Sequence, residues 1–177
     1  AIQLDVTEPE SIENLVCHLE SRFGRIDVLV NNAGIVSDGG SDEDLDAASI
    51  FNTPIAAIRA SMEVHFYGPL LLAQHIIPLM LRNNFGRIVN VSSKRAQMID
   101  MGGFIPAYRT SKVALNAMTR IMAAEIKHIE ANILVNAVCP GKVKTEARPE
   151  FTKSLEEGAD SIVWAATLPD DGPTATF

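Results

Sequence analysis

The sequence predicts an α/β protein with a parallel sheet, because strand patterns and helix patterns alternate along the whole chain. Three short apolar runs, residues 26–31, 86–93 and 133–138, are each stopped by polar or Pro-Gly residues. Longer segments with apolar residues at helical spacing separate them. The 177 residues have the size of one domain, so we expect a single domain over residues 1–177.

The composition of the chain excludes several classes of function. The net charge of −7 leaves no basic surface for nucleic acid, and no basic segment followed by a signal-type apolar run precedes the domain. Cys17 and Cys139 are far apart and lack a Cys-x-x-Cys partner, which argues against a disulfide framework and against a zinc site. We therefore expect a cytoplasmic protein that binds neither nucleic acid, membrane nor a structural metal.

The first elements are a strand end and a helix. Residues 1–6 alternate between apolar and polar, as in a strand. Thr7 is the expected N-cap of the following helix, with Pro9 in its first turn and Gly24 as its stop.

Residues 26–31 then form a short apolar run, as in a parallel strand that is buried on both faces. The acidic segment 37–49 follows, and two interpretations stay open: a solvated loop, or part of a substrate rim. Residues 54–83 have a helical pattern, in which Gly68-Pro69 and Pro78 predict a kink or a break.

The second half repeats this alternation. The strand pattern at 86–93 precedes a long helix that starts near Tyr108, and the strand at 133–138 precedes a last helix at 154–168. Ser154 and Glu157 form a capping-box pattern at the start of that helix.

Tyr108 and Lys112 are the first candidate catalytic residues. At a spacing of four on a helix, their side chains lie on one face, about 5–6 Å apart at Cβ. A cation beside a phenol lowers the pKa of the phenol, as an acid/base catalyst for carbonyl chemistry requires. The same spacing also occurs on ordinary helix surfaces, so the pair alone does not identify a site.

Four motifs are expected at one end of the sheet, where ligands of open α/β folds bind. They are Asn31-Asn32-Ala33-Gly34, Asn90-Val91-Ser92-Ser93, Tyr108 with Lys112, and Pro140-Gly141-Lys142-Val143-Lys144-Thr145. In order and placement they resemble the motifs of the short-chain dehydrogenase/reductase family. The resemblance implies a Rossmann-type, doubly wound parallel sheet and an oxidoreductase that transfers hydride between NAD(P)(H) and a ketone or secondary alcohol.

The resemblance also implies roles for single residues. Tyr108 would be the general acid/base, Lys112 would hold the nicotinamide ribose and lower the pKa of Tyr108, and Ser93 would hydrogen-bond the substrate oxygen. Without the resemblance, Ser92 and Ser93 are equally well explained as serines that satisfy backbone groups at a strand end.

The cofactor implied is NADP or NAD, with NADP favoured by the similarity of residues 154–174 to carbonyl reductases. The substrate implied is a small carbonyl compound. Besides Tyr108 and Lys112, the cofactor contacts carried over from the family are Asp5, Val6, Asn32, Ala33, Gly34, Pro140, Gly141, Val143 and Thr145.

His65 departs from the family pattern, which has an asparagine at this position that holds a water for proton relay. A histidine holds water and titrates near neutrality, so one expectation is an altered relay with an altered pH profile. The other is a structural buried histidine.

A second departure concerns the phosphate loop. No G-x-G-x-x-G motif occurs in the 177 residues. The family's strand order is 3-2-1-4-5-6-7, so residues 2–5 correspond to the third strand and residues 26–31 to the fourth, and the first two strands are missing. We therefore expect a fragment of a longer chain, with a seventh strand beginning at residues 174–177.

Two further hypotheses stay open. One is a catalytically silent binding or scaffold protein that retains the fold, and the other is a 3-oxoacyl reductase of the same superfamily. The short span from Ser93 to Tyr108 leaves the helices at 54–83 and 108–129 available for assembly, so a homodimer or homotetramer is expected.

Overall fold

The sheet is parallel, as predicted. A computed structural model describes residues 1–39, 48–146 and 148–177. Within these ranges, strands β1 (Val28–Asn31), β2 (Gly86–Val91) and β3 (Ile133–Val138) pair in parallel in the order β1-β2-β3. Val30 lies opposite Val89, and Val89 lies opposite Asn136. This order places the carboxyl ends of all three strands at one edge.

Helices cover both faces of this sheet. They are α1 (Pro9–Phe23), α2 (Ile55–Met62), α3 (Gly68–Asn83), α4 (Pro106–His128) and α5 (Leu155–Ala166). On one face, buried residues of α1, α3 and α4 form the main core with Leu29, Ile88 and Val135. On the other face, Ala165 of α5 packs with Val89 and Val138. The layers are those of a doubly wound α/β fold.

The predicted ends of two helices are confirmed, and one predicted cap is wrong. Gly24 ends α1 in the left-handed conformation at φ 69°, and Ser154 forms the predicted capping box with Glu157. Thr7 does not cap α1, because its hydroxyl and N–H both donate to the Asp5 carboxylate, at 2.7 and 2.9 Å. Glu8 is the N-cap instead and makes no side-chain cap bond.

The helix at 55–83 is continuous, so of the predicted kink or break the break is wrong. The irregularity lies just before Gly68-Pro69, where Glu63–Tyr67 form one π-helical turn between α2 and α3. Pro78 remains inside α3. By length and composition the stretch Ile55–Asn83 would also cross a membrane, but its Leu72, Ile76 and Met80 are buried in the main core, as in the core helix of a globular domain.

The two ends of the chain lie beside the sheet without forming regular strands. The strand predicted at 1–6 is not present, because no described segment pairs with it, although Leu4 and Val6 still pack on the main core. At the other end, Ala175 donates to the carbonyl of Val135 at 2.9 Å, and Ala137 donates to the carbonyl of Thr176 at 3.0 Å. Residues 174–177 therefore run along the outer edge of β3.

Candidate active site

The predicted catalytic residues meet at the carboxyl edge of the sheet. Ser93 is the second residue after β2, and the first turns of α4 bring Tyr108 and Lys112 to the same edge of the sheet. The Ser93 side chain lies close enough to Tyr108 to lower the pKa of its phenol. The His65 ring stands edge-on to the Tyr108 ring, with 5.5 Å between ring centroids. Four side chains from three elements thus converge where ligands of open α/β sheets bind.

Tyr108 and Lys112 share one wall of this site, as their spacing predicted. The Lys112 Nζ lies 5.9 Å from the centroid of the Tyr108 ring. It donates to the carbonyl oxygen of Val91 at 2.7 Å, which anchors the buried ammonium to the end of β2. Burial lowers the pKa of Lys112 to about 8. The ammonium therefore loses its proton in weakly alkaline solution.

The expectation that the pKa of Tyr108 is lowered is wrong for this structure. Burial raises the pKa of Tyr108, and the hydrogen bond from Ser93 and the charge of Arg95 counteract this only in part. Desolvation dominates because it disfavours the charged phenolate. At neutral pH the phenol is therefore protonated, which is the form that donates a proton to a ketone.

His65 is held between two partners that fix its protonation state. The backbone N–H of Ile35 donates to Nε2 at 3.0 Å, so Nε2 is an acceptor and Nδ1 carries the proton. Nδ1 then donates to the Ser111 hydroxyl at 2.8 Å. That hydroxyl donates to the carbonyl of Tyr108 at 3.0 Å. The chain of bonds runs from the end of β1 to the first turn of α4.

This arrangement decides between the two expectations for His65. The side chain is fully buried, and burial together with the charge of Lys112 lowers its pKa to about 3. The expectation that His65 titrates near neutrality, on which the altered pH profile depended, is therefore wrong. The ring is a neutral hydrogen-bonded group that connects β1 to α4, in agreement with the structural interpretation.

Asp38 holds the start of α4 and was not found from the sequence. Its buried carboxylate accepts from the backbone N–H of Ala107 at 2.7 Å and of Tyr108 at 3.1 Å. These are the second and third residues of α4, whose amides a capping side chain normally satisfies. The N-cap itself is Ile105, which has no side-chain acceptor and adopts a left-handed conformation at φ 47°.

A second buried hydrogen-bond network joins the ends of β1 and β2 to α4. Asn31 donates to the Asn90 amide oxygen at 2.8 Å, and Asn90 donates to the Thr119 hydroxyl at 2.8 Å. The two Asn residues are adjacent on β1 and β2, so the network fixes these strand ends against α4. Asn31 and Asn90 are the first residues of two of the sequence motifs, and here they serve the scaffold.

The predicted cofactor residues after β1 form an open surface beside this centre. Asn32, Ala33 and Gly34 are exposed, and a Cβ on Gly34 would lie 3.3 Å from the His65 Nε2. The Asp5 carboxylate is exposed and bonded to Thr7, which lowers its pKa. Val6 lies against α3, where a Cβ on Gly68 would come within 2.6 Å of the Val6 carbonyl oxygen. Glycine at residue 68 therefore permits this close approach.

The predicted residues after β3 form no described hydrogen bond with the catalytic side chains. Pro140 is half-buried and Gly141 is exposed in the left-handed conformation at φ 85°. Val143 pairs with Lys153, and Thr145 pairs with Arg148. Among the described residues, no hydrogen bond joins Val143 or Thr145 to Ser93, Tyr108 or Lys112.

The polar groups at the ends of β1 and β2 suit the nicotinamide and ribose part of a dinucleotide. Two polar atoms at the strand ends, the Asn31 amide oxygen and the Ser92 hydroxyl, are buried without a partner within the described chain. The Lys112 ammonium lies near Ser92 through its bond to Val91. The surface after β1 offers backbone without bulky side chains, which permits close approach of a ligand.

Comparison with known proteins identifies the family. Residues 1–156 match the family model of the short chain dehydrogenases. The chain belongs to this family. Salutaridine reductase of Papaver bracteatum is 30% identical, with 99% of this chain and 76% of that protein covered. Carbonyl reductase [NADPH] 1 of Mus musculus is 31% identical, with 99% of this chain and 75% of that protein covered.

A solved structure agrees with this assignment. A metagenomic short-chain oxidoreductase in complex with NADP is 26% identical, covers 98% of this chain and 70% of its own, and has a TM-score of 0.75. Membership confirms the predicted fold and the predicted reaction class: the chain is an NAD(P)-dependent oxidoreductase for ketones and secondary alcohols. It is similar to carbonyl reductases.

Proposed function

We propose that this chain carries the proton-transfer centre of a ketone reductase, with Tyr108 as the general acid and Ser93 as the hydrogen-bond donor to the ketone oxygen. The observation that supports this most directly is the convergence of these groups at the edge of the sheet: the Lys112 ammonium lies 5.9 Å from the Tyr108 ring, and the Ser93 side chain acts on the pKa of the Tyr108 phenol. A ketone oxygen placed beside both hydroxyls receives one hydrogen bond from each. Nicotinamide supplies or accepts the hydride when it is bound.

Each residue then has a distinct task. Ser93 stabilises the charge that develops on the oxygen, an effect worth about 3–4 kcal/mol when a single oxyanion donor is removed from other enzymes. Tyr108 donates its proton to the same oxygen, and its raised pKa keeps that proton available at neutral pH. In the reverse direction the phenol must first lose its proton, so alcohol oxidation requires a higher pH.

Lys112 and His65 support this pair. The Lys112 ammonium has two N–H donors besides the one that binds Val91, and we assign them to the ribose hydroxyls. His65 positions Tyr108 through Ser111 and does not exchange protons at neutral pH. Asp5, Val6, Asn32, Ala33, Gly34, Pro140, Gly141, Val143 and Thr145 remain the proposed contacts of the rest of the cofactor.

We propose NADP as the preferred cofactor, supported by the NADPH-dependent relative and by the NADP complex named above. The proposed substrates are ketones of the xenobiotic or secondary-metabolite type, supported by the similarity to salutaridine reductase. We further propose a cytoplasmic homodimer or homotetramer that uses the helices at 54–83 and 106–128, where Tyr67 and Ile121 are exposed apolar side chains. A monomeric mass in light scattering would contradict the assembly.

The test compares wild type with Tyr108→Phe for NADPH oxidation with a panel of ketones. Phenylalanine keeps the ring against His65 but removes the proton, so kcat is expected to fall by about 10²–10⁴. Quenching of NADPH fluorescence on binding should remain in this variant. Wild type that binds NADPH but reduces no ketone would instead indicate a silent binding protein, and an unchanged kcat in Tyr108→Phe would remove Tyr108 from the mechanism.

A further inference from the structure

Three cationic residues directly follow the catalytic residues in sequence. Lys94 and Arg95 directly follow Ser93 in a short 3₁₀ turn, and Arg109 directly follows Tyr108 on α4. The backbone N–H of Arg95 donates to the Ser93 hydroxyl at 3.2 Å, and the charge of Arg95 acts on the Tyr108 phenol. We call Lys94, Arg95 and Arg109 the cationic rim.

The Arg109 side chain is held in place. Its Nε donates to the carbonyl of Phe104 at 2.9 Å, and its Nη1 donates to the carbonyl of Arg95 at 3.1 Å. The backbone of Lys94 is also anchored, since its N–H donates to the Cys139 sulfur at 3.2 Å at the end of β3. The Arg109 side chain and the backbone of Lys94 are therefore fixed, while the side chains of Lys94 and Arg95 are exposed.

The positive charge of the rim is not neutralised within the described chain. The ion pairs in that part of the chain use Arg25, Arg82, Arg87 and Arg148, and none uses a residue of the rim. Burial and then the charge of Arg95 lower the pKa of Arg109, so the two guanidinium groups repel each other. Asp100 is the acid nearest in sequence, and it forms no described ion pair with them. This positive cluster occurs in a chain whose net charge is −7.

Apolar residues follow the 3₁₀ turn in sequence, and the carbonyl of one of them, Phe104, holds the Arg109 side chain. Met98 is 71% exposed and Phe104 is 44% exposed, on the segment that links the 3₁₀ turn to α4. A ligand that satisfies both surfaces has an apolar body and an anionic end. A neutral ketone would use the apolar surface and leave the two guanidinium groups without a counter-charge.

We propose that the cationic rim binds an anionic group of the substrate, so that this enzyme prefers ketones that carry a carboxylate over their neutral counterparts. The inference rests on the proposed function, because it places the ketone between Ser93 and Tyr108. The carboxylate bonds to Arg95 and leaves the apolar body on Met98 and Phe104. A phosphate group of the cofactor has similar chemistry and is the other possible source of the anion.

The test uses 4-acetylbenzoate and its methyl ester, which share the ketone and differ in one charge. Wild type should reduce the acid with the higher kcat/KM. In Arg95→Gln the ratio of kcat/KM for acid over ester should fall about tenfold, as expected for loss of a charge-assisted hydrogen bond. Because Arg95 also acts on Tyr108, a change common to both ketones cancels in this ratio. The control Arg22→Gln removes an exposed arginine in the last turn of α1, before the amino end of β1, and should change the ratio less than about twofold.

Two further measurements separate this inference from the proposed function. Calorimetric titration of wild type and Arg95→Gln with each probe reports binding without turnover. If neither probe is reduced but the acid binds more tightly and Arg95→Gln abolishes that preference, the reductase assignment fails and the rim remains an anion site. Equal ratios in wild type and Arg95→Gln would overturn the inference, and so would a rise in the Kd of NADPH without one for NADH, which would assign the rim to the cofactor phosphate.

Discussion

Replacing Asp38 should uncouple the start of α4 from the rest of the site. Its carboxylate is the only described side chain that accepts from the N–H groups of Ala107 and Tyr108, at 2.7 and 3.1 Å. Asp38→Ala leaves both donors buried without an acceptor. Asp38→Asn retains one oxygen but places an amide N–H against a backbone N–H, so it should cost nearly as much.

The magnitude follows from these two bonds. Hydrogen bonds to charged groups contribute about 1.5–3 kcal/mol each, and alanine also relieves the cost of burying the carboxylate. We therefore expect Asp38→Ala to lower the unfolding free energy by about 3 kcal/mol, which corresponds to a Tm lower by about 6–12 °C for a domain of this size. Urea denaturation with linear extrapolation measures the first value, and thermal unfolding measures the second.

Activity provides the second readout, because a displacement of about 1 Å at a reacting group costs about 10²-fold in rate. In Asp38→Ala at a temperature where it is folded, kcat should fall by about this factor. Asp27→Asn is the matched control, since Asp27 forms only an exposed side-chain ion pair with Arg25 and should change stability by less than about 1 kcal/mol. An Asp38→Ala protein with the Tm and kcat of wild type would refute the assignment of Asp38 as the cap of α4.

Three further predictions concern a positioning residue, His65, and the catalytic residues Lys112 and Ser93. The pKa of His65 is about 3 in the folded chain and 6.5 for an ordinary histidine, so the unfolded chain binds more protons between these values. The unfolding free energy should therefore fall by about 3 kcal/mol from pH 7 to pH 4. Denaturation curves of His65→Asn should show a clearly smaller fall over the same range. The pKa of Lys112 is about 8 in the folded chain and 10.5 for an ordinary lysine. The unfolding free energy of wild type relative to Lys112→Met should therefore rise by about 3 kcal/mol from pH 7.5 to 10.5. A constant difference would contradict the burial of Lys112 as an ammonium. Ser93→Ala should lower kcat for ketone reduction by about 10²–10³ with an unchanged Kd for NADPH, and steady-state kinetics that show a change in KM alone would exclude it as the oxygen donor.

The sequence was most informative where local patterns repeat. The strand at 133–138 was predicted to the residue, and the capping box at Ser154 and Glu157 was found because all its parts lie within four residues. The spacing of Tyr108 and Lys112 predicted their common face for the same reason. The alternation of elements then placed three strand ends together, although no single motif contains that information.

The misses are contacts between residues far apart in sequence. Asp38 precedes Tyr108 by 70 residues and shows no helix pattern of its own, so only the fold reveals it as a cap. Thr7 was a good local cap candidate, but the nearby Asp5 carboxylate takes its hydroxyl. The direction of the Tyr108 pKa depends on burial, which spacing along a helix does not report. The expectation that the acidic segment 37–49 forms part of a substrate rim concerns mainly residues 40–47, which lie outside the described residues.

The π-helical turn at Glu63–Tyr67 makes the length of its helix critical. It lies between α2, which packs against α4, and α3, which packs against α1. A π turn contains one residue more per turn than expected for an α-helix, and one residue corresponds to a rotation of about 100°. Deleting one residue here would regularise the helix but would turn either α2 or α3 away from its partner. This helix should therefore tolerate substitutions on its surface far better than a single-codon deletion.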